Sequence, residues 1–504
     1  MPNSRRLISN AAVSVVQTVI SGVVLFLLYR YLLDHLGTEQ LGLWSVILAS
    51  TSVARLSDLG LTGSVVKFVA RYRALKNDEQ ASAVVQTAAI SIALVMAVLV
   101  LVIYPLLDVV LKLVVPAAQM PQASALLPWA VLSLWLGSVG GVFQSGLDGC
   151  HRMALRNILM IVANLLYFSS ALWLVPHYGL LGLAFGQVAQ ALLLLILSWF
   201  ALRRELSSLP LVPVCWSKKV FKEIFGYAIN FQINSIAVLL FDPLTKLLMS
   251  KYGGLSSAAY YEMASQLVVK LRALLISANQ ALVPEVADIH ETSPHKLPTL
   301  YLKTFRLVFF LSVPFYAAIL VALPIISTIW IGRIEQQFLL FGALLVAGWG
   351  FNNVTGPAYF FNFGTGDLKW NSISHVLMAL LNVVFGLILG PVLGGLGVAI
   401  GAMTALAIAS YFLIITLHKK YRIRVWNIIP AEHYVLLIAV ACGVGESFVI
   451  TRQSPQGTNF ILTQVMGIGV YTVTVAVAMY LHPYRKLLIQ TINSWRLTRQ
   501  FNHG

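Results

Sequence analysis

The chain has 504 residues, of which 59% are hydrophobic and only 10% charged, and its mean hydropathy is +0.83. A soluble domain carries about 25% charged residues, so the composition excludes a soluble globular protein and indicates an all-α, polytopic integral membrane protein. The net charge of +16 is assigned to cationic cytoplasmic loops and not to nucleic-acid binding. The three cysteines, Cys150, Cys215 and Cys442, form no disulfide framework.

In chain order the apolar runs predict about fourteen transmembrane helices. They lie near 8–33, 40–61, 83–107, 124–146, 154–175, 179–202, 226–249, 257–283, 304–329, 337–361, 371–391, 394–417, 432–450 and 458–481. The run that follows Arg5 and Arg6 extends to Leu33, too long for a signal-peptide core, and reads as a retained first span. An even number of spans puts both termini on one face. The termini and the loops on that face hold 24 Lys and Arg, whereas the opposite loops hold only Lys112, Lys251, Arg333 and Arg452. By the positive-inside rule both termini are expected to be cytoplasmic. No loop is long enough for a soluble domain. The tail from Tyr484 to Arg499 reads as an amphipathic helix on the anionic inner leaflet.

Ionisable residues inside spans are expensive and mark functional positions. Arg55 and Asp58 sit in the second span, roughly 24 Å along the helix from Glu39 at 1.5 Å per residue. Arg272 occupies the equivalent place in the eighth span, while Arg30 and Lys246 lie near the outer rim. With Lys270 and Arg306, these are the candidate cations for an anionic substrate, because guanidinium groups bind phosphate oxygens bidentately. Local readings stand beside that one: Arg55 with Asp58 and Asp242 with Lys246 are spaced for ion pairs along one helix face. Arg30, Lys246 and Arg306 are also placed to snorkel. Asp58, Asp242 and Glu446, together with Glu262, are the intramembrane acids, and Asp58, Asp242 and Glu446 are candidates for ion coupling. His375 is read as a packing residue. No P-loop, HExxH, CxxC or GxSxG occurs, so neither a cofactor, a metal centre nor enzymatic catalysis is expected.

The two halves repeat. At offsets of 217–218, Trp44 meets Tyr261, Arg55 meets Arg272, and Gln144 meets Asn362; at 215, Gly182 and Gly186 meet Gly397 and Gly401; Arg30 and Lys246 are 216 apart. The expected organisation is an N-lobe over 1–204, a cytoplasmic linker over 205–225, a C-lobe over 226–420, two further spans over 432–481 and a cytoplasmic tail over 482–504. Parallel repeats of this kind are related by an axis along the membrane normal, with the site near the midplane.

The segment from Leu36 to Tyr72, with Leu36-Gly37, Gly42-Leu43-Trp44, Asp58-Leu59-Gly60-Leu61 and then a basic residue and Ala70, resembles polysaccharide biosynthesis (oligosaccharide flippase) proteins. These belong to the multidrug/oligosaccharidyl-lipid/polysaccharide (MOP) exporter superfamily, and the resemblance extends over the whole chain in length, span number and two-lobe repeat. It implies two pseudo-symmetric six-helix lobes around a central cavity, with two additional C-terminal helices. The activity it implies is alternating-access movement of an undecaprenyl-pyrophosphate-linked oligosaccharide, an O-antigen or exopolysaccharide unit, across the bacterial inner membrane. Its implied partners are the lipid-linked substrate, membrane lipids, and the polymerase and glycosyltransferases of a glycan assembly pathway. Two alternatives remain: a multidrug or cation antiporter of the same superfamily, and a membrane-embedded glycan polymerase or ligase. In-span cations outnumber acids six to four, which disfavours the first; the lack of a long outer loop disfavours the second.

Overall fold

The computed structural model describes residues 4–52, 61–280, 282–424, 430–452 and 460–485, and among them there is no β-strand. The helices are α1 (Ser4–Ser52), α2 (Leu61–Ala74), α3 (Asp78–Val114), α4 (Met120–Gly149), α5 (Met153–Tyr178), α6 (Leu180–Glu205), α7 (Lys218–Gln280), α8 (Leu282–Thr292), α9 (Leu297–Ile331), α10 (Gln336–Gly364), α11 (Lys369–Tyr421), α12 (Ala431–Arg452) and α13 (Phe460–Leu481). Ten of the described helices are long and apolar enough to cross a membrane. In hydrocarbon each backbone N–H and C=O must be bonded internally, and helices achieve this within one segment.

Three of the long helices are each two segments joined at a glycine. α1 breaks at Gly37 (φ 80°, ψ 175°), α7 at Gly254 (φ 80°, ψ 173°) and α11 at Gly394 (φ 61°, ψ −143°). A positive φ with ψ near 180° is open essentially to glycine alone. With these breaks the long helices supply fourteen segments, matching the fourteen spans read from the sequence. The breaks also expose the repeat. Gly37 and Gly254 are 217 apart with the same backbone angles; Gly179 (φ 57°), which joins α5 to α6, is 215 from Gly394. The repeating order is therefore α1–α6 against α7–α11, with α5 and α6 together equivalent to α11.

The stretches 62–82 and 284–303 were expected as loops, and here the structure differs. Each holds a helix, α2 or α8. In α2, Leu61, Val65, Phe68 and Val69 are buried, the spacing of one helical face, while Lys67 and Arg71 point outward. The basic face concealed the apolar one. Both short helices dock in the same way. A Cβ on Gly149 would meet Val69 at 2.8 Å, and one on Gly364 would meet Val286 at 2.7 Å.

The helices gather into two compact units, Met1–Met263 with Val383–Val398, and Ala264–Asn382 with Ala399–Gly504. The first has a core of α2, α3, α4 and α6, closed by Leu206, Leu209, Val220 and Ile224. Residues 206–217 run along α3. Ser208 Oγ donates to Asp78 O (2.7 Å), Gln86 Oε1 accepts from the N–H groups of Val214 and Cys215 (3.2 Å each), and Trp216 Nε1 donates to Ser91 Oγ (3.0 Å). α3 itself starts cleanly because Asn77 caps Gln80 N, with Asp78 and Glu79 in the first turn against the positive end of the dipole. In the second unit Val286, Leu297, Tyr301, Phe305, Ala358, Phe361, Leu413 and Leu417 form the core. α12 and α13 add to it by packing on α9 through Phe310, Leu436, Val440, Tyr471 and Val475, and Tyr471 donates to Pro314 O at 2.7 Å.

A methyl group at either hinge glycine forces an L-residue into a conformation that costs about 1–3 kcal/mol. Gly37→Ala and Gly254→Ala are each expected to lower the thermal midpoint of the detergent-purified protein. Gly63→Ala, at a helical glycine with open space around its missing Cβ, is expected to leave it unchanged or raise it.

Candidate functional site

Within the first unit, the buried charged side chains Lys246 and Glu262 meet in one place. Lys246, on the first segment of α7, places its Nζ 2.5 Å from Asp242 Oδ2 and 2.5 Å from Glu262 Oε2. Lys246 and Glu262 are both buried, whereas the Asp242 side chain is 46% exposed. Glu262 is on the second segment of α7, and it also accepts hydrogen bonds from two residues of α1: Tyr29 OH (3.2 Å to Oε1) and Ser45 Oγ (3.4 Å to Oε2). Three donors, one of them charged, thus reach Glu262, which is what a carboxylate needs to remain ionised away from water.

The glycine breaks explain why these residues meet. Tyr29 and Ser45 each lie eight residues from Gly37, one on either side, and Lys246 and Glu262 lie eight residues on either side of Gly254. At 1.5 Å per residue all four sit roughly 12 Å from their hinge. They are repeat equivalents: Tyr29 corresponds to Lys246 and Ser45 to Glu262, both at an offset of 217. The first half supplies neutral hydroxyl donors and the second half the charges. Nearer the hinges, Thr38 Oγ1 and Ser256 Oγ are 3.1 Å apart, and a Cβ on Gly42 would fall 1.8 Å from Leu255 O. α1 and α7 therefore approach backbone to backbone above the charged cluster.

The second unit holds a different arrangement. Arg272 lies over the Trp349 ring, with its guanidinium carbon 4.0 Å from the ring centre, and its Nη2 donates to Asn352 Oδ1 at 2.9 Å. Asn352 in turn donates to Ser410 Oγ (2.9 Å). Among the described residues no carboxylate lies within ion-pair distance of Arg272, its Nε is buried without a hydrogen-bond partner, and so is the hydroxyl of Tyr316. Tyr316 lies within electrostatic reach of Arg272. Its ring packs against Gly350 of α10, where a Cβ would stand 3.1 Å from Tyr316 Cγ. Among the described residues this is a cation with spare donors beside it and no carboxylate in ion-pair reach.

A family described as "polysaccharide biosynthesis protein" matches residues 7–290, more than half of the chain, a range that includes the Lys246–Glu262 cluster and Arg272. The chain belongs to this polysaccharide biosynthesis family. Among solved structures it is similar to the lipid II flippase MurJ in an inward closed conformation. The TM-score is 0.71 at 13% identity, covering 95% of this chain and 100% of that one. It is also similar to an inward-facing multidrug resistance MATE family transporter of the MOP superfamily (TM-score 0.68, 15% identity, 79% and 94% covered). A third is a MOP superfamily transporter from Pyrococcus furiosus (TM-score 0.57, 15% identity, 83% and 94% covered). A search of curated proteins gave no match. The fold is therefore that of the MOP superfamily transporters.

The remaining residues singled out from the sequence of this family member are scattered. Arg55 and Asp58 lie outside the described residues, as does the tail beyond Arg485. Arg30 is 3.6 Å from Asp34, one turn away on its own helix, and both are well exposed. Lys270 is exposed and Arg306 half-buried, its backbone carbonyl bonded to His433 Nε2 at 3.1 Å. Glu446 is exposed and accepts from Thr474 Oγ1 at 2.9 Å. His375 packs on Tyr359. Burial pushes the Cys150 thiol up to about 11, so it stays protonated and inert near neutrality. The sequence reading identified Glu262 as an intramembrane acid but not as the partner of Lys246. The signal that pairs them is their equal spacing from Gly254.

Lys246 and Glu262 are expected to respond unequally to substitution. Lys246→Ala leaves two carboxylates without their cation, one of them buried, a loss of about 3–5 kcal/mol. Glu262→Gln leaves Lys246 its ion pair with Asp242 and keeps an acceptor for Tyr29. Thermal melting of the purified variants checks this: Lys246→Ala falls well below Glu262→Gln, and Lys246→Met/Glu262→Gln recovers most of the Lys246→Ala loss.

Proposed function

We propose that this protein is a flippase that moves an undecaprenyl-pyrophosphate-linked oligosaccharide across the bacterial inner membrane by alternating access, with both termini in the cytoplasm. Membership of the polysaccharide biosynthesis family and a fold like that of the lipid II flippase support a lipid-linked substrate. The observation that carries the reading is Arg272. Burying a guanidinium against Trp349 without a carboxylate is costly, and an anionic substrate offsets that cost. Two pyrophosphate oxygens match the fork of one guanidinium, and the Tyr316 hydroxyl and the Arg272 Nε are donors waiting for an acceptor. A site for organic cations would place acids or bare aromatic faces where this one places an arginine. Arg55 is proposed as the corresponding contact of the first half.

Arg272→Ala is expected to lower glycan export at unchanged membrane abundance. The lost charge-assisted contact is typically worth ~1.5–3 kcal/mol, or roughly ten-fold or more in substrate engagement. Arg272→Lys restores part of it, since the charge survives without the planar fork. Normal export by Arg272→Ala would remove Arg272 from the substrate path. For Arg55, recovery of export by Arg55→Ala/Asp58→Ala over Arg55→Ala alone would assign that arginine to a local ion pair.

A further inference from the structure

We infer that the segment from Pro210 to Ser217, between α6 and α7, is an interfacial anchor: its apolar side chains enter the membrane boundary, and Lys218, Lys219 and Lys222 meet the headgroups of anionic phospholipids. The sequence reads 205–225 as a cytoplasmic linker, yet four large apolar side chains in it point away from the protein. Leu211 is 61% exposed, Val212 63%, Val214 70% and Trp216 49%. In water such a run is a liability. Its position on α3 shows what covers it. Ser82 Oγ donates to Ser208 O (3.1 Å), and further along α3 Ser91 Oγ accepts from Trp216 Nε1. Leu94, one turn beyond Ser91, opens the outward apolar face of α3, which continues through Val98, Leu101 and Val102, all exposed. α3 is long and apolar enough to cross the membrane. The exposed side chains of the linker therefore join the lipid-facing stripe of α3 where that stripe begins.

The backbone of the segment fits the same place. Non-helical backbone at membrane depth persists only where the protein or a wet cavity satisfies its polar groups. Pro210 and Pro213 have no N–H to satisfy. The N–H groups of Val214 and Cys215 go to Gln86 Oε1, and that of Ser217 goes to Thr87 Oγ1 at 3.3 Å. Gln86 and Thr87 are both buried. A linker in water needs no such acceptors, because water supplies them. Trp216 adds an amphipathic ring of the kind enriched at the boundary, with its indole N–H turned inward to Ser91. Immediately after it, Lys218, Lys219 and Lys222 are exposed, and Lys67 and Arg71 of α2 face outward as well. The acids that flank the segment are engaged: Glu205 by Arg152 (2.9 Å) and Glu223 by Arg71 (3.2 Å). The surface beside the apolar run is therefore cationic and complementary to anionic headgroups. Apolar insertion together with a basic cluster gives stable attachment where either alone is marginal.

The anchor is observable without transport, so its failure and failure of the flippase proposal give separate results. In the proposed orientation the leaflet concerned is the inner one. The probe is a nitrobenzoxadiazole label on Cys215, which is exposed, with Cys150 and Cys442 replaced by Ala. The reference is the same label on Glu79→Cys, an exposed position in the first turn of α3, with Cys215→Ser added. Purified full-length protein in lipid nanodiscs meets either aqueous iodide or phospholipids that carry a nitroxide at the top of the acyl chain. The nitroxide is expected to quench the Cys215 label several-fold more than the reference label, and iodide several-fold less. Nitroxide-bearing phosphatidylglycerol should quench Cys215 more than nitroxide-bearing phosphatidylcholine. Lys218→Gln/Lys219→Gln/Lys222→Gln should lower that preference, by up to about five-fold for each engaged lysine. Iodide quenching at Cys215 as strong as at the reference would overturn the anchor. Equal quenching by the two nitroxide lipids would overturn it as well, since the lysines would then not be on anionic headgroups.

Discussion

The architecture depends on a backbone constraint. A chain that crosses hydrocarbon repeatedly has to stay helical to satisfy its peptide groups, so it can reverse direction between adjacent spans only where the backbone leaves the helical basin at little cost. Gly37, Gly254 and Gly394 supply those points inside continuous helices, and Gly179 supplies a fourth between α5 and α6. Because Gly37 and Gly254 share the same backbone angles, residues at equal distances from them are brought to equal depth. The Lys246–Glu262 cluster follows from that geometry: the hinges decide which residues can meet, and the side chains decide what holds them together.

Two chemistries are kept apart in this chain. In the first unit a buried lysine is compensated by two carboxylates. In the second unit Arg272 has an aromatic face and an amide but, among the described residues, no carboxylate, and donors beside it remain unused. A compensated charge is suited to holding helices together; an uncompensated one is suited to receiving an anion.

Much of this was legible in the sequence. Hydropathy located the fourteen segments, and the repeat was visible in Trp44 against Tyr261 and in Gly182 against Gly397. The charged cluster was not. Lys246 was matched with Arg30, because both are cations near the outer rim and lie 216 apart. The hinges set the offset at 217, which pairs Lys246 with Tyr29. One residue is 100° around a helix, so the difference decides which side chain faces the cluster. The local Asp242–Lys246 spacing was readable from helical periodicity, but Lys246–Glu262, sixteen residues apart across a turn, was not. Helices α2 and α8 were hidden for another reason: they are short and charged on one face, basic in α2 and acidic in α8, so an average over the window reports a loop.

The central claim is that the protein moves a lipid-linked glycan without a chemical energy source of its own. The most direct measurement is translocation of a purified undecaprenyl-pyrophosphate-linked oligosaccharide in vesicles, read as loss of access to an enzyme or lectin added outside. The account predicts protein-dependent movement in the absence of ATP, accelerated by an imposed ion gradient or membrane potential and depressed by Arg272→Ala. Movement that required ATP, or equal access with and without the protein, would contradict it.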